Sequence, residues 1–395
     1  MNICRLIGEF PHPADLDQSQ NASLDYLLSG AYYMSKEQSA LGDHVTVITG
    51  GGPKQESLGD LLVRRVGNPD NLWLGSELLR MKKLQELDLI HGHSTYGFLA
   101  LSLLKRKLGV PLVRHVHATT LGLINSKYGR TYPPSGIRIQ TAIMRERLAY
   151  SLADRLVAVS ERGAQVLTRF YGFDRSKIVV VRNGVDTRLF HPMEKEAAKR
   201  SIGLEGKRVV LFVGRMSRIK GIEYLLRAAR RIIEKFDDVT FLFIGGVPNF
   251  MRGQAENPDD LLRHIGGGHS VADKIRFIGP VPNNLLPKYY SAAELVVLPS
   301  LYEAFPKVVV EAMACETPVI GSRVGGVPEV ISDGTNGLLV PPADVEALFR
   351  AISLLLTDES LRQTLGVNAA RTINSGYAWR DVAKELRRVY QGLGA

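Results

Sequence analysis

Apolar and polar positions along the chain alternate between two rhythms. Short apolar, β-branched runs recur at 3–7, 44–49, 61–66, 88–91, 112–117 and 155–159. Between them lie stretches with apolar residues every three to four positions, as at 29–41 and 96–108. The short runs predict buried strands and the longer spacing predicts helices. Gly50-Gly-Gly-Pro53 marks a turn after the second run. This succession predicts a mostly parallel sheet with helices on both faces.

The rhythm breaks over 181–191, where Asn183-Gly184 signals a turn and polar residues follow. It then restarts, with strands predicted at 208–213, 240–244, 275–278, 294–298, 318–320 and 337–340. Helices are predicted at 222–236, 306–315, 344–357, 359–373 and 377–390. The fold class is therefore α/β, with two doubly wound domains in series, the first over 1–188. Ligands of such sheets bind beyond the carboxyl ends of the strands. With two such domains, the cleft they face is the expected site.

Composition narrows the class. At roughly 100–200 residues per domain, 395 residues suit two domains. Hydrophobic residues are 45% and charged residues 23%, which excludes a disordered or collagen-like chain or a small disulfide scaffold. Cys4 and Cys315 lie far apart, as expected of a reducing compartment without a disulfide framework. No apolar run approaches the ~18–20 residues that span a bilayer. Arg5 interrupts the first apolar stretch, so that stretch predicts a strand and not a signal peptide.

The net charge is +10, from 50 basic and 40 acidic residues. Residues 1–190 hold 24 basic and 17 acidic residues, or +7, which leaves +3 for 191–395. A basic first half suits a phosphate-bearing substrate or an anionic membrane, or simply a soluble surface. Nothing resembles a zinc finger, an RNA-binding motif or a basic zipper, so nucleic acid is not an expected partner.

Three clusters offer chemistry. Phe212-Val-Gly214-Arg215-Met-Ser-Arg-Ile-Lys220-Gly221 joins a strand to a helix. Arg215 and Lys220, beside a helix N-terminus, suit a diphosphate, or are two solvated surface charges. In the second, Pro299-Ser-Leu-Tyr-Glu303-Ala-Phe-Pro306-Lys-Val-Val-Val-Glu311, Glu303 stands at the carboxyl edge of the sheet. Pro306 sits where a helix begins. Glu311 lies in an apolar helical stretch, where a carboxylate either binds paired hydroxyls or pairs with Lys307 at i,i+4. In the third, Val113-Arg-His115-Val-His117, alternation puts both histidines on one strand face, with His117 at the strand end. His117 is placed either to meet a ligand or to serve a structural hydrogen bond. His91, His93 and His117 together hint at a metal, but no carboxylate or cysteine spacing supports one. Asp15-Leu16-Asp17 reads as a solvated loop. There is no GxGxxG after the first strand, no GxxxxGK[ST] and no GxSxG, which disfavours a dinucleotide dehydrogenase, a P-loop nucleotidase and an α/β-hydrolase.

Gly214-Arg215 with Lys220, and Glu303 with Glu311, resemble the retaining GT-B glycosyltransferases: group 1, family four, the group of bacterial glycogen synthase and the phosphatidylinositol mannosyltransferases. Flanking phrases agree, among them the stretch from Ser151 to Ser160, Asn183-Gly-Val-Asp186 and Gly325-Gly-Val-Pro-Glu329. The resemblance implies two Rossmann-like domains facing across a cleft: an acceptor-side domain over 1–188, a donor-side domain over 189–375, and a last helix over 376–395 that crosses back to the first. It implies transfer of a hexosyl group from a nucleotide-diphosphate sugar, UDP-linked before GDP-linked, to a glycan, lipid-linked or polyol acceptor.

Carried over, Arg215 and Lys220 hold the donor diphosphate and Glu303 the sugar hydroxyls, helped by the backbone of Ala304, Phe305, Pro306 and Lys307. Val308 and Val309 lie at the phosphates, Glu311 at the ribose, Val281 near the base, and Gly214 forms the tight turn. His117 reaches the donor sugar. No metal and no cofactor is expected, and the protein is expected in the cytoplasm, with peripheral attachment to a membrane as an option. The rivals are a sugar-nucleotide epimerase of similar fold and a non-catalytic nucleotide-sugar-binding protein. One departure is that the segment 9–26 lacks the paired glycines that many members carry there.

Overall fold

The computed structural model describes residues 1–8, 26–50, 54–65, 72–124, 137–246, 271 and 273–394. Asp15, Asp17 and most of the loop after the first strand, with Lys127 and Arg130, lie outside the described residues. The chain divides into two compact units. One comprises 1–18, 24–184 and 379–395, and the other is built on 185–378.

The first unit holds a sheet of eight strands among the described residues: β1 (Asn2–Leu6), β2 (His44–Thr49), β3 (Lys54–Leu58), β4 (Leu61–Arg65), β5 (Leu89–His93), β6 (Leu112–Val116), β7 (Arg155–Ala158) and β8 (Ile178–Val180). Their order is β3-β4-β2-β1-β5-β6-β7-β8. All neighbours pair in parallel except β3 with β4. The helices are α1 (Tyr26–Ala40), α2 (Leu72–Lys83), α3 (Phe98–Leu108), α4 (Thr120–Ile124), α5 (Ile137–Ser151) and α6 (Glu161–Arg169).

Strand alternation sorts β1 onto two cores. Cys4 and Leu6 join Leu74, Leu78 and Leu101 on one face. Ile3 and Ile7 join Met34, Val113 and Trp379 on the other. Arg5 shares the parity of Ile3 and is fully buried.

The second unit holds β9 (Arg208–Val213), β10 (Val239–Ile244), β11 (Ile275–Gly279), β12 (Leu295–Leu298), β13 (Val319–Ser322) and β14 (Leu338–Val340). The order is β11-β10-β9-β12-β13-β14, and every pairing is parallel. Counted within the unit this is the 3-2-1-4-5-6 arrangement of the dinucleotide-binding fold, and the order reverses between β9 and β12. The helices are α7 (Lys195–Ser201), α8 (Ile222–Lys235), α9 (Leu286–Ala292), α10 (Lys307–Ala314), α11 (Val345–Thr357) and α12 (Glu359–Asn374). Side-chain caps start several helices: Ser160 accepts from the Gly163 N–H, Asp344 from Ala347 and Asp358 from Leu361. The α8 stripe of Ile222, Leu225, Leu226, Ala229 and Ile233 packs with Phe212, Phe241 and Phe243.

The last helix, α13 (Trp379–Gln391), belongs to the first unit and packs on α1. Its Trp379 ring stacks on Tyr33, with centroids 6.2 Å apart. No helix among the described residues is long and apolar enough to cross a membrane.

Candidate functional site

Two loops leave the carboxyl ends of the adjacent strands β9 and β12, where the order of the second sheet reverses. The first follows Val213. The Gly214 N–H donates to Ile244 O at 2.9 Å and the Met216 N–H to Gly246 O at 3.2 Å, so the loop starts against β10. Arg215 is exposed and Lys220 half-buried. Residues 218–220 form one 3₁₀ turn, and Gly221 then opens α8 at φ 70°. A Cβ on Gly221 would stand 1.9 Å from Pro299 O, so only glycine lets the two loops touch there.

The second loop runs from Pro299 to Pro306. Leu301 N–H donates to Ile219 O at 2.8 Å, which laces it to the first. The Lys220 Nζ lies 2.6 Å from Glu303 Oε2, and Ser300 Oγ donates to the same oxygen at 3.3 Å. From behind, Gly326 N–H donates to Glu303 O at 3.0 Å. Gly325, at φ 51°, presses so close that a Cβ would meet that carbonyl at 1.6 Å. Thus a buried carboxylate and a cation stand paired at the sheet edge. Both contacts fall on Oε2, so among the described residues Oε1 is the oxygen left to accept from a ligand hydroxyl.

Ala304, Phe305 and Pro306 lead into α10, which begins with the buried Lys307, Val308 and Val309. Pro306 precedes the helix without a side-chain cap, because its ring carries no acceptor for the first N–H groups. Glu311 is buried one turn further on, and Tyr290 OH of α9 donates to its Oε2 at 2.9 Å. Burial pushes the Glu311 carboxyl up, and the Lys307 charge and the Tyr290 hydroxyl draw it part of the way back. Val281 follows β11 and is half-buried. Because the strands are parallel, Gly214, Arg215, Lys220, Val281, Glu303 and the start of α10 all gather at one end of this sheet.

His117 lies in the first unit, just past the end of β6, and is 8% exposed. Its Nε2 is 2.8 Å from His93 Nδ1. His91, His93, His115 and His117 line one face of β5 and β6, where His93 is in register with His115. Burial holds the pKa values of His91, His93 and His115 well below the ordinary value. In the sequence, His91, His93 and His117 hint at a metal that no ligand spacing supports. The structure instead brings ring nitrogens of His93, His115 and His117 within 4.8 Å of one another, so this trio could hold an ion. The surroundings oppose a cation: Arg5 Nη1 is 3.1 Å from His93 Nε2. Sequence reasoning missed Tyr290, Ser300 and Arg5 as partners. Gly325-Gly326 was visible as a phrase, but its pressure on Glu303 was not.

Residues 194–372 match the family model "Glycosyl transferases group 1", and residues 29–189 match "Glycosyltransferase Family 4". A D-inositol 3-phosphate glycosyltransferase of Kribbella flavida is 33% identical over 322 residues, spanning 80% of this chain and 74% of that protein. An uncharacterised glycosyltransferase of Methanocaldococcus jannaschii is 31% identical over 367 residues, spanning 89% of this chain and 90% of that one. Among solved structures, sucrose-phosphate synthase of Thermosynechococcus elongatus has a TM-score of 0.78 at 25% identity, over 100% of this chain and 99% of that one. Two parallel α/β units, the motif loops at the switch point and these matches agree: the chain belongs to the group 1 glycosyltransferases, of the family-four type, with the GT-B fold.

Proposed function

We propose that this glycosyltransferase retains anomeric configuration and moves a hexosyl group from a UDP-sugar, or next a GDP-sugar, without a metal. The observation that carries the reading is the Lys220–Glu303 pair beside Arg215, at the reversal point of the second sheet. Glycosyl transfer builds negative charge on the leaving diphosphate, and fixed cations aimed at that charge lower the barrier. An ammonium has three donors, so Lys220 can keep one on Glu303 and turn the others to a phosphate oxygen. Glu303 Oε1 then accepts from a sugar hydroxyl, Glu311 takes the ribose, and the backbone of 304–309 lies along the diphosphate. Val281 stands by the base. His117 is assigned to a hydroxyl of the donor sugar. Retention follows if the acceptor attacks the face that the diphosphate leaves, with a phosphate oxygen taking the acceptor's proton.

The names of the inositol-phosphate relatives favour a polyol phosphate acceptor, which the +7 balance of residues 1–190 suits. The same unit suits an anionic membrane, giving a peripheral protein. Lys105, Arg106 and Lys107 end α3 near the exposed Leu99 and Leu103, and Ile137 and Met144 are exposed on the neighbouring α5. Of the three cations, Lys105 is held by Asp154 at 2.6 Å.

Turnover of UDP- and GDP-hexoses, with and without inositol phosphate and in EDTA, tests the reading, with product configuration assigned by proton NMR. An acceptor-dependent product of retained configuration that survives EDTA supports it. Acceptor-independent epimerisation, binding without turnover, or a manganese requirement would each overturn it.

A further inference from the structure

The first sheet also reverses its order, between β1 and β5, and a chain of polar side chains is buried there. Arg5 donates from Nη2 to Gln38 Oε1. Its Nη1 stands 3.1 Å from His93 Nε2 and 3.4 Å from His91 Nδ1. The His93 Nδ1 then meets His117 Nε2 at 2.8 Å, with ring planes 14° apart and centroids separated by 5.1 Å. The rings are nearly coplanar, and that separation is close to the N···N distance plus the two ring radii. The nitrogens therefore face each other in line, as an N–H···N bond requires.

The Arg5 guanidinium sets the donor and acceptor order along this chain. A guanidinium only donates, so His93 Nε2 must present its lone pair to Arg5. A neutral imidazole carries one N–H, so the proton of His93 is on Nδ1, and this N–H donates to His117 Nε2. That nitrogen must also present a lone pair, which leaves the His117 proton on Nδ1. The same guanidinium orders His91 the opposite way. His91 Nδ1 faces Arg5 and the Tyr390 hydroxyl, the latter at 2.5 Å, so its proton is on Nε2. Arg5 also meets the Tyr390 hydroxyl, and among the described residues no carboxylate pairs with it. A buried cation solvated by neutral acceptors makes a second positive charge beside it costly, so the imidazoles stay neutral. Burial acts in the same direction on His91 and His93.

We propose that Arg5 and His93 are positioning residues that hold His117 as its neutral Nδ1–H tautomer, so that His117 meets a sugar hydroxyl as a hydrogen-bond donor and not as a base. The role of His117 at the sugar rests on the function proposed above, whereas the tautomer stands on the geometry alone. Arg5 thus acts on the reaction through two imidazoles, without touching substrate.

The experiment uses the full chain labelled with ¹⁵N-histidine, with long-range ¹H–¹⁵N correlation to read each tautomer and His117→Gln to assign its signal. The expected result is Nδ1–H for His93 and His117 and Nε2–H for His91 at neutral pH. An Nε2–H tautomer of His117, averaging between its two tautomers, or one equivalent of tightly bound zinc on the trio would each overturn the proposal. In a second arm, His93→Leu removes both bonds, whereas His93→Gln can accept from Arg5 and donate onward. His93→Leu should lower kcat by about tenfold or more with little change in KM, tenfold being ~1.4 kcal/mol of transition-state stabilisation. His93→Gln should recover most of that loss and keep the His117 tautomer. If both variants lose activity equally while folded, the relay is refuted. If the tautomers are as expected and His117→Gln turns over normally, the sugar contact fails and the relay survives.

Discussion

Glu311→Gln separates a residue kept for binding from one kept for folding, because the two roles predict opposite signs. Glu311 is buried in α10, where it accepts a hydrogen bond from Tyr290 OH at 2.9 Å. Its carboxyl is raised above the ordinary 4.5, chiefly by burial. A folded-state pKa above the unfolded value means the ionised form costs stability at neutral pH. The fold gains stability as pH falls through the raised value towards 4.5. Gln keeps the shape, can still accept from Tyr290 and carries no charge. The free variant should therefore melt at the same temperature as the wild type or higher at pH 7.5, and the difference should shrink as the wild type protonates.

Binding should move the other way. A ribose hydroxyl donating to an ionised carboxylate is worth ~1.5–3 kcal/mol, so UDP affinity should fall roughly 10- to 150-fold. In the wild type, affinity should decline on acidification, beginning above pH 4.5 as Glu311 takes up its proton. Titration calorimetry with UDP and thermal denaturation across pH 5–8 read both quantities. A variant that melts lower and binds UDP as before would refute the reasoning and return Glu311 to a structural pairing with Lys307.

Arg215→Ala and Lys220→Ala should each lower kcat by ~10²–10³ with a smaller rise in donor KM, since the charge they meet grows in the transition state. Equal losses in affinity for UDP and in turnover would show ground-state binding instead. Gly325→Ala should lower melting temperature and turnover together, because a Cβ there stands 1.6 Å from Glu303 O at a φ of 51°; wild-type turnover would mean that Glu303 does not depend on that clamp. Binding to anionic vesicles should weaken between low salt and 0.15 M, where screening acts over ~8 Å. No binding even at low salt would remove the membrane from the account.

Much of the second unit was legible because its strands are short apolar runs that end in glycine or proline, and the motif loops sit at those ends. What stayed hidden is pairing across strand order. Lys220 and Glu303 are 83 residues apart, and they meet only because β9 and β12 are neighbours. Tyr290 gave no signal, because a tyrosine in an amphipathic helix looks the same whether or not its hydroxyl has a buried partner. β3 was missed because Lys54-Gln-Glu-Ser-Leu58 has almost no apolar content; it survives as an edge strand on β4. α5 was missed because Ile137, Met144 and Leu148 are exposed and blur its stripe. Arg5 read as the residue that spoils a signal peptide, whereas the fold buries it completely.

The return of α13 to the first unit has a consequence for biosynthesis. The first sheet, complete in sequence by Val180, keeps the face under Trp379, Leu386 and Tyr390 bare until α13 emerges from the ribosome. The second unit, continuous from 185 to 378, can finish folding first although it is made later. Nascent chains stalled before Trp379 should therefore engage chaperones through the first unit alone, and truncation ahead of Trp379 should damage the unit built on residues 24–184.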